Sequence, residues 1–374
     1  MPTDTRAAVL WGHQQDWKVE EMALDDPGPG EILIETSAAG MCHSDEHVVT
    51  GDMLIPHFPF VGGHEGSGVV AAVGAGVKSV EAGDHVAMSF IPSCGHCRFC
   101  STGRQNLCDE GSKLFDNQMM TRELGDVSHK IGDVEAARFA QLGTFSEKLL
   151  LAESSVVKVD KDLPLDVVAL VSCGVATGWG SAVHTAGVQP GDNVAVVGVG
   201  GVGINAIQGA KMAGAKRVIA IDPVEFKREK AMEMGATHTY NSTEEALLAV
   251  PELTWGEMCQ AVILAPGVVT GEMIEPAINL VDKGGKLVVT GLAGLLESDV
   301  QLNLFMLSMM NKSIVGTVFG SGNPRADIPA LLSMYREGVL KLDELITNRY
   351  KIDDVNQGYE DLREGKNIRG ILEF

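Results

Sequence analysis

The segment NVAVVGVGGVGINAIQGAKMAGA, residues 193–215, constrains the fold of this chain more than any other. It reads as a buried strand, then a turn with Gly198, Gly200 and Gly203 spaced G-x-G-x-x-G, then an amphipathic helix. The first glycine permits the tight turn, the second lets a pyrophosphate approach the backbone, and the third lets helix and strand pack closely. Gly201 and Val202 complete the turn, and the helix N-terminus then faces the phosphates. Nineteen residues beyond Gly203, Asp222 ends the next strand, RVIAID. A carboxylate there accepts hydrogen bonds from an adenosine ribose and repels a 2′-phosphate, so NAD is expected over NADP. A glycine-rich structural turn is the alternative for an isolated motif; strand, helix and acid together argue against it.

The texture of the chain changes on either side of this segment. From about 176 to 318, apolar strands (NVAVVGVG, RVIAID, AVILA, KLVVTG) alternate with helical stretches such as FKREKAMEMG and TGEMIEPAINLV. This βαβ rhythm predicts a doubly wound parallel sheet. From residue 1 to about 155, short runs such as ILIE, GVVAAV and HVAMSF alternate with Gly, Pro and Asp turns, as in a rolled-up β domain. The tail, with PALLSMYREGVL and DVNQGYEDLREG, is helical, lies outside the βαβ rhythm and is expected to pack back on the first domain. The expected organisation is α/β: a β-rich domain over 1–175, a nucleotide-binding domain over 176–318, and a return to the first domain over 319–374. With 374 residues and 45% hydrophobic content, each domain can bury a core of its own.

A second feature is the stretch SFIPSCGHCRFCSTGRQNLCDE, which holds Cys94, Cys97, Cys100 and Cys108 in a chain of seven cysteines. Two of the intervals leave two residues between sulfurs, too tight for relaxed disulfides between neighbours but suited to tetrahedral thiolate coordination. A structural zinc lobe is the reading. The formal charge of −21 would repel phosphate backbones, which disfavours a zinc-ribbon reader of nucleic acid. The N-terminal apolar run is too short for the core of a secretory signal. The longest uncharged stretch, Val167 to Val183, is interrupted by Ser172, Thr177, Ser181 and three glycines and reads as buried turn and helix, so no membrane partner is expected. An odd number of cysteines used as metal ligands also fits a reducing cytoplasm.

Cys42 in GMCHSDEH, His64 in GGHEGSG and Cys173 in VSCGVATGWG remain. Each alone is more often a buried thiol or a satisfied histidine. Together they offer the Cys₂His donor set of a catalytic zinc. Cys259, in GEMCQAVILAP, has no partner in any motif and reads as a buried strand residue.

These segments, in this order and spacing, resemble the zinc-dependent medium-chain alcohol dehydrogenases from end to end. In CHSDEH, FIPSCGHCRFCSTGRQNLC and NIRGILEF the chain is most similar to the nicotinoprotein (nitrosodimethylaniline-dependent) alcohol dehydrogenases of actinobacteria. The resemblance implies a GroES-like catalytic domain plus a Rossmann domain, two zinc ions per chain, a tightly bound NAD, a small alcohol or aldehyde substrate, and a homo-oligomer, dimer or tetramer. It makes Cys42, His64 and Cys173 the catalytic zinc ligands, Asp45 the carboxylate that orients the histidine, and Glu65 the acid beside the metal. Ser44 and His47 match the proton relay. Thr177, Lys227 and Arg369 match cofactor contacts. His43 departs from the pattern, since many relatives carry an arginine there; a histidine pairs with the pyrophosphate only when protonated, so phosphate binding is expected to be weaker or pH-dependent. Phe90 and Met53 match the substrate channel and suggest an apolar pocket for a small aliphatic or aromatic primary alcohol, with ordinary core packing as their alternative.

Without the resemblance, Ser44 and Asp45 would read as turn or helix caps and His47 as a surface residue. Two other functions stay open on sequence: oxidation of a thiol adduct of formaldehyde, and a non-catalytic zinc protein that senses NAD redox state.

Overall fold

The computed structural model describes residues 3–55, 57–113, 121–122 and 126–374. The chain forms two compact units, Met1–Cys173 with Asn323–Phe374, and Gly174–Gly322.

The first unit is β-rich. Its strands are β1 (Thr3–Leu10), β2 (Lys18–Leu24), β3 (Glu31–Met41), β4 (Phe60–Val61), β5 (Glu65–Val73), β6 (His85–Ser89), β7 (His129–Ile131), β8 (Val134–Glu135), β9 (Ala137–Arg138), β10 (Lys148–Ala152) and β11 (Val156–Val159). One sheet runs in the order β8-β7-β2-β1-β4-β9. In β1 the two-residue period sends Ala7 and Val9 to one core, with Met22, Leu24 and Leu150, and Ala8 and Leu10 to another, with Trp17, Phe60 and Phe145. The eleven-residue β3 anchors the second sheet, pairing antiparallel with β5 and β10. At its end, Met41 leads into Cys42 and helix α1 (His43–Thr50).

A 22-residue helical run, Leu165–Ala186, joins α2 (Leu165–Leu170) to α3 (Ala176–Gly180) through a π turn at Val171–Val175 and ends in a second π turn at Ser181–Ala186. It is long and apolar enough to cross a membrane, but 78% of its most apolar stretch is buried inside the chain, as in a core helix.

The second unit alternates β12 (Asn193–Val197), α4 (Gly203–Met212), β13 (Arg217–Ile221), α5 (Glu225–Glu233), β14 (His238–Tyr240), α6 (Thr243–Leu253), β15 (Cys259–Leu264), α7 (Ile274–Leu280), β16 (Val281–Val289), α8 (Leu304–Met309) and β17 (Ser313–Gly316). The sheet order is β14-β13-β12-β15-β16-β17, all parallel. The chain thus starts in the middle and winds outward twice, which leaves a crevice beyond the carboxyl ends of β12 and β15. Helices cover both faces, so β12 is apolar after Asn193: Val194 and Val196 pack with Ile207 and Ala210, and Ala195 packs with Ile219, Val262 and Ile278. Cys259 is fully buried at the start of β15, and burial pushes its thiol up to about 12.

The tail returns to the first unit as α9 (Pro324–Arg336), β18 (Ile346–Tyr350), α10 (Val355–Arg363) and β19 (Arg369–Glu373). Strand β19 pairs antiparallel with β3, Gly370 opposite Met41, so that Arg369 arrives beside the end of β3.

Candidate functional site

Cys42 occupies the N-cap position of α1 in an extended conformation, and its side chain accepts no backbone N–H of the helix. Ser44 and Asp45 therefore do not cap this helix. Asp45 is fully buried instead: its Oδ1 accepts the Gly63 N–H at 2.7 Å, and its Oδ2 lies 3.0 Å from His64 Nδ1. The turn carrying His64 requires glycine at position 63, where φ is +90° and a Cβ would lie 2.4 Å from Thr144 Oγ1. Two side chains fix the turn from the other side. Thr144 Oγ1 donates to the Glu65 carbonyl at 2.8 Å, and Ser172 Oγ accepts the Gly66 N–H at 3.0 Å while donating to the Ala169 carbonyl. The neighbouring Cys173 projects from the π turn, a rare helical geometry that often marks functional positions. Three segments distant in sequence thus bring one ligand atom each of Cys42, His64, Glu65 and Cys173 within 4.8 Å of one another, all buried.

The electrostatics of this cage are those of a cation site. His64 Nε2 and Glu65 Oε1 have no hydrogen-bond partner among the described residues, although both are buried. The Cys42–Cys173 hydrogen bond holds the Cys42 thiol well below its usual range and the Cys173 thiol well above, so the pair favours one thiolate. Burial works against a charge on His64, but Asp45 and Cys42 outweigh it and hold the imidazole well above its usual value. Burial likewise raises Glu65 to about 7 against the attraction of Arg369, whose Nη2 bonds Glu65 Oε2. Two thiols and an imidazole whose other nitrogen is turned to a carboxylate make a donor set that fits zinc, and a divalent charge would favour both thiolates at once.

The four-cysteine lobe lies in the same unit. The Sγ atoms of Cys94 and Cys100 are 3.9 Å apart, and those of Cys97 and Cys108 are 4.0 Å apart. These separations are far beyond a disulfide's S–S length of about 2.05 Å and close to the ~3.8 Å edge of a tetrahedron with ~2.3 Å zinc–sulfur bonds. Backbone N–H groups of Cys97, Cys100 and Asp109 point at the sulfurs of Cys94 and Cys97. Such bonds, the Asp109 N–H first, lower Cys97 to about 6 and favour its thiolate.

The remaining expected residues divide between the units. In the first, Ser44 Oγ accepts from Cys42 Sγ at 3.7 Å, and His47 is 3% exposed, not a surface residue. His43 begins α1, half-buried. Phe90 sets its ring edge-on to His64 at 5.6 Å, and Met53 packs against the same core. Arg369 is 3% exposed and bonded to Glu65.

In the second unit, Gly198 has φ +85° and faces the Ala265–Pro266 backbone; a Cβ on Gly203 would lie 1.9 Å from the Gly198 carbonyl; a Cβ on Gly200 would meet nothing within 4 Å among the described residues beyond its chain neighbours. The three glycines thus meet three different demands. Gly201 contributes its carbonyl to Asn205 Nδ2. A Cβ on Gly178 would lie 2.0 Å from the Val202 carbonyl, which places Thr177 beside the same turn, and Thr177 Oγ1 is buried without a hydrogen-bond partner among the described residues. Asp222 accepts the Val199 N–H on Oδ2 and the Val224 N–H on Oδ1, each at 2.9 Å, so its carboxylate is held at the end of β13 with lone pairs to spare. Lys227 is half-buried on α5, whereas Arg228 reaches back to the Asp222 and Pro223 carbonyls. An open glycine, an orphaned hydroxyl and a fixed carboxylate fit a dinucleotide.

Family models described as a zinc-binding dehydrogenase and as an alcohol dehydrogenase GroES-like domain match residues 201–337 and 28–161. An NDMA-dependent alcohol dehydrogenase of Amycolatopsis methanolica is 50% identical over 368 residues, 98% of each chain. The chain belongs to the zinc-dependent alcohol dehydrogenase family. Alcohol dehydrogenase B of Mycobacterium tuberculosis is 47% identical over 99% of this chain and 98% of its own. Among solved structures, benzyl alcohol dehydrogenase from Acinetobacter calcoaceticus superposes with a TM-score of 0.91 at 31% identity, over 100% of this chain and 99% of that one. The expected architecture, a GroES-like domain with a zinc-dehydrogenase nucleotide-binding domain, is thereby established.

Sequence reasoning missed several residues that shape the site of this alcohol dehydrogenase. Phe139 packs its ring 4.9 Å from His64, opposite in chain order to Phe90 and without a motif to mark it. Thr144 and Ser172 hold the Glu65–Gly66 backbone, and only the adjacency of Ser172 to Cys173 could have hinted at this. Asp52, which contacts His47, was likewise unmarked.

Proposed function

We propose that this alcohol dehydrogenase interconverts small aliphatic or aromatic primary alcohols and their aldehydes, using a NAD that stays bound and is recycled by a second substrate. The observation that carries the reading is the cage: Cys42, His64 and Cys173 converge, His64 Nε2 is free of hydrogen bonds, and Phe90 and Phe139 form an apolar wall beside it. Cys42, His64 and Cys173 hold one zinc ion and the four-cysteine lobe a second. When bound, the catalytic ion supplies Lewis acidity and the nicotinamide supplies a hydride acceptor.

The chain's own residues do the rest. Asp45 keeps His64 in the tautomer that presents Nε2. Phe90, Phe139 and Met53 exclude water and select an apolar substrate body. Ser44 takes the hydroxyl proton as hydride leaves, and His47 is its destination. Gly198 to Gly203 cradle the pyrophosphate with Thr177, and Asp222 binds the adenosine ribose. Retention of the cofactor is supported by the dependence on an artificial acceptor named in the Amycolatopsis relative, and an aromatic alcohol by the benzyl alcohol named in the Acinetobacter one. The seven-cysteine, zinc-loaded chain fits a cytoplasmic setting.

The homo-oligomer is supported by the second unit's surface: β17 ends its sheet, and Leu296, Leu304, Phe305, Met309 and Ile314 near it are exposed. A bare apolar edge strand is a template for pairing with a second copy.

Gel-filtered protein, denatured and assayed for released nicotinamide, should contain near one equivalent per chain. It should oxidise simple alcohols with a nitroso acceptor, by ping-pong kinetics, without added NAD or thiol. Protein that emerges empty and turns over only with soluble NAD removes the retained-cofactor reading. A strict thiol requirement would favour the formaldehyde-adduct chemistry instead.

A further inference from the structure

Helix α1 ends at Gly51, whose φ of +87° reverses the chain. The N–H groups of Gly51 and Met53 both donate to the His47 carbonyl, at 3.2 and 2.9 Å, so the turn is tied to the backbone of His47 itself. This returns Asp52 over the last helical turn, with Oδ2 3.4 Å from His47 Nδ1. Thr50 Oγ1 donates to the same carboxylate oxygen at 2.7 Å and fixes its rotamer. The Thr50 hydrogen bond, followed by His47, keeps Asp52 below the usual carboxylate range, so it is ionised at neutral pH. A carboxylate just past a helix C-terminus opposes the helix dipole, so its presence there calls for a local partner. The partner differs from it in exposure: the His47 side chain is 3% exposed and that of Asp52 is 38% exposed.

We infer that Asp52 is a positioning residue for the proton relay, pairing with His47 Nδ1 so that a proton taken up inside the protein is delivered to solvent. The inference rests on reading His47 as the relay's proton acceptor. With Nδ1–H facing Asp52, the neutral ring presents Nε2 as the acceptor. A proton bound at Nε2 is matched by one released from Nδ1 to water beside the carboxylate. Loss of the Nδ1 proton returns the ring to neutrality as the Nε2–H tautomer, and a tautomer change through water then restores the starting form, with one proton delivered to solvent.

The other charged groups around His47 are committed elsewhere. Asp45 faces His64, Glu46 pairs with Arg363 of α10 at 2.8 Å, and His13 places Nδ1 2.7 Å from the Val48 carbonyl. Among the described residues, His43, at the first position of the helix, and the exposed His57 are the nearest further histidines in the sequence on either side.

The test uses the holoenzyme in stopped flow, following nicotinamide reduction by absorbance and proton release by a pH indicator. Asp52→Asn should leave zinc content and the KM for alcohol unchanged. It should slow proton release at least about tenfold, part of the 10²–10⁴ that general acid–base catalysis typically contributes. Asp52→Glu should restore much of the rate, and imidazole buffer should rescue Asp52→Asn in proportion to its concentration. Asp52→Ser, which keeps an acceptor for Thr50, is the second variant should Asp52→Asn fold poorly. Wild-type proton release in Asp52→Asn or Asp52→Ser, with His47→Gln impaired, overturns the role of Asp52. Wild-type proton release in His47→Gln overturns the relay reading beneath it.

Discussion

The glycine turn can be dissected by one methyl group placed at two positions. At Gly203 an added Cβ would lie 1.9 Å from the Gly198 carbonyl, whereas real Cβ contacts stay beyond 3.0 Å, so the start of α4 must move away from the turn by more than an ångström. Overpacking of this kind costs about 1–3 kcal/mol. For a domain of ~150–250 residues each kcal/mol lowers Tm by about 2–4 °C, so Gly203→Ala should lose roughly 2–12 °C. At Gly200 there is open space and no left-handed backbone, so alanine fits and removes some unfolded-state entropy, worth about 0.4–1 kcal/mol in favour of the fold. The same methyl occupies the approach of a pyrophosphate. Cofactor affinity should fall at least about tenfold, or ~1.4 kcal/mol. Because a bound cofactor itself raises Tm, unfolding is compared on cofactor-free protein and nicotinamide content on the holoenzyme. Gly200→Ala protein with an unchanged Tm and a full complement of nicotinamide would refute the placement of the pyrophosphate. Gly203→Ala with an unchanged Tm would refute the tight helix–turn packing.

Metal analysis should find two zinc ions per chain; Cys97→Ser should lower Tm and lose one of them, whereas Cys42→Ser should lose the other together with turnover at a smaller cost in Tm. One zinc in a fully active preparation would contradict this. Asp222→Gly should narrow the preference for NAD over NADP by roughly tenfold or more, measured as relative affinity of reloaded protein; equal affinities in the unmodified chain would remove the role of Asp222. Ile314→Lys, on the exposed edge strand β17, should lower the mass seen by light scattering to that of a smaller species, and an unchanged mass would place the interface elsewhere.

The parallel sheet and its glycine turn were legible because they are local. NVAVV, RVIAI and CQAVIL are strands whose apolar runs announce burial on both faces, and the turn's spacing is set within six residues. The cage was not legible in that sense. Cys42, His64 and Cys173 come from three segments with no shared spacing; donor type alone suggested them as a set, and the resemblance to a known family gave them their roles. Nothing local shows that Ser172 would clamp Gly66, or that Arg369 would reach Glu65 across 304 positions. Those contacts depend on β19 pairing with β3 and on a π turn, and neither leaves a periodic trace. The alternative of a cap role for Ser44 and Asp45 loses for a related reason: the tertiary partner of Asp45, the Gly63–His64 turn, outcompetes the helix end.

The two candidate ligand sets differ in what the surrounding protein supplies, and the difference fixes what an ion bound at each would do for the fold. From Cys94 to Glu110 only Cys100 and Cys108 are buried, so this lobe has no apolar core and its sulfurs are its interior. Its donors lie within fifteen residues, and N–H···S bonds prepare them locally. An ion bound there closes a loop that has little else to hold it, and its binding energy is folding energy. The cage is the opposite case. Its donors are 131 positions apart at the extremes, Cys42 and Cys173, and the segment that carries His64 and Glu65 is held by bonds from outside the donor set: Asp45 to Gly63, Thr144 to Glu65, Ser172 to Gly66. The β sheets have therefore done the positioning already. Removing the ion from this cage should leave the backbone in place and two thiols, a histidine and a glutamate competing for protons, which is why loss of turnover and loss of stability are expected to separate between the two sites.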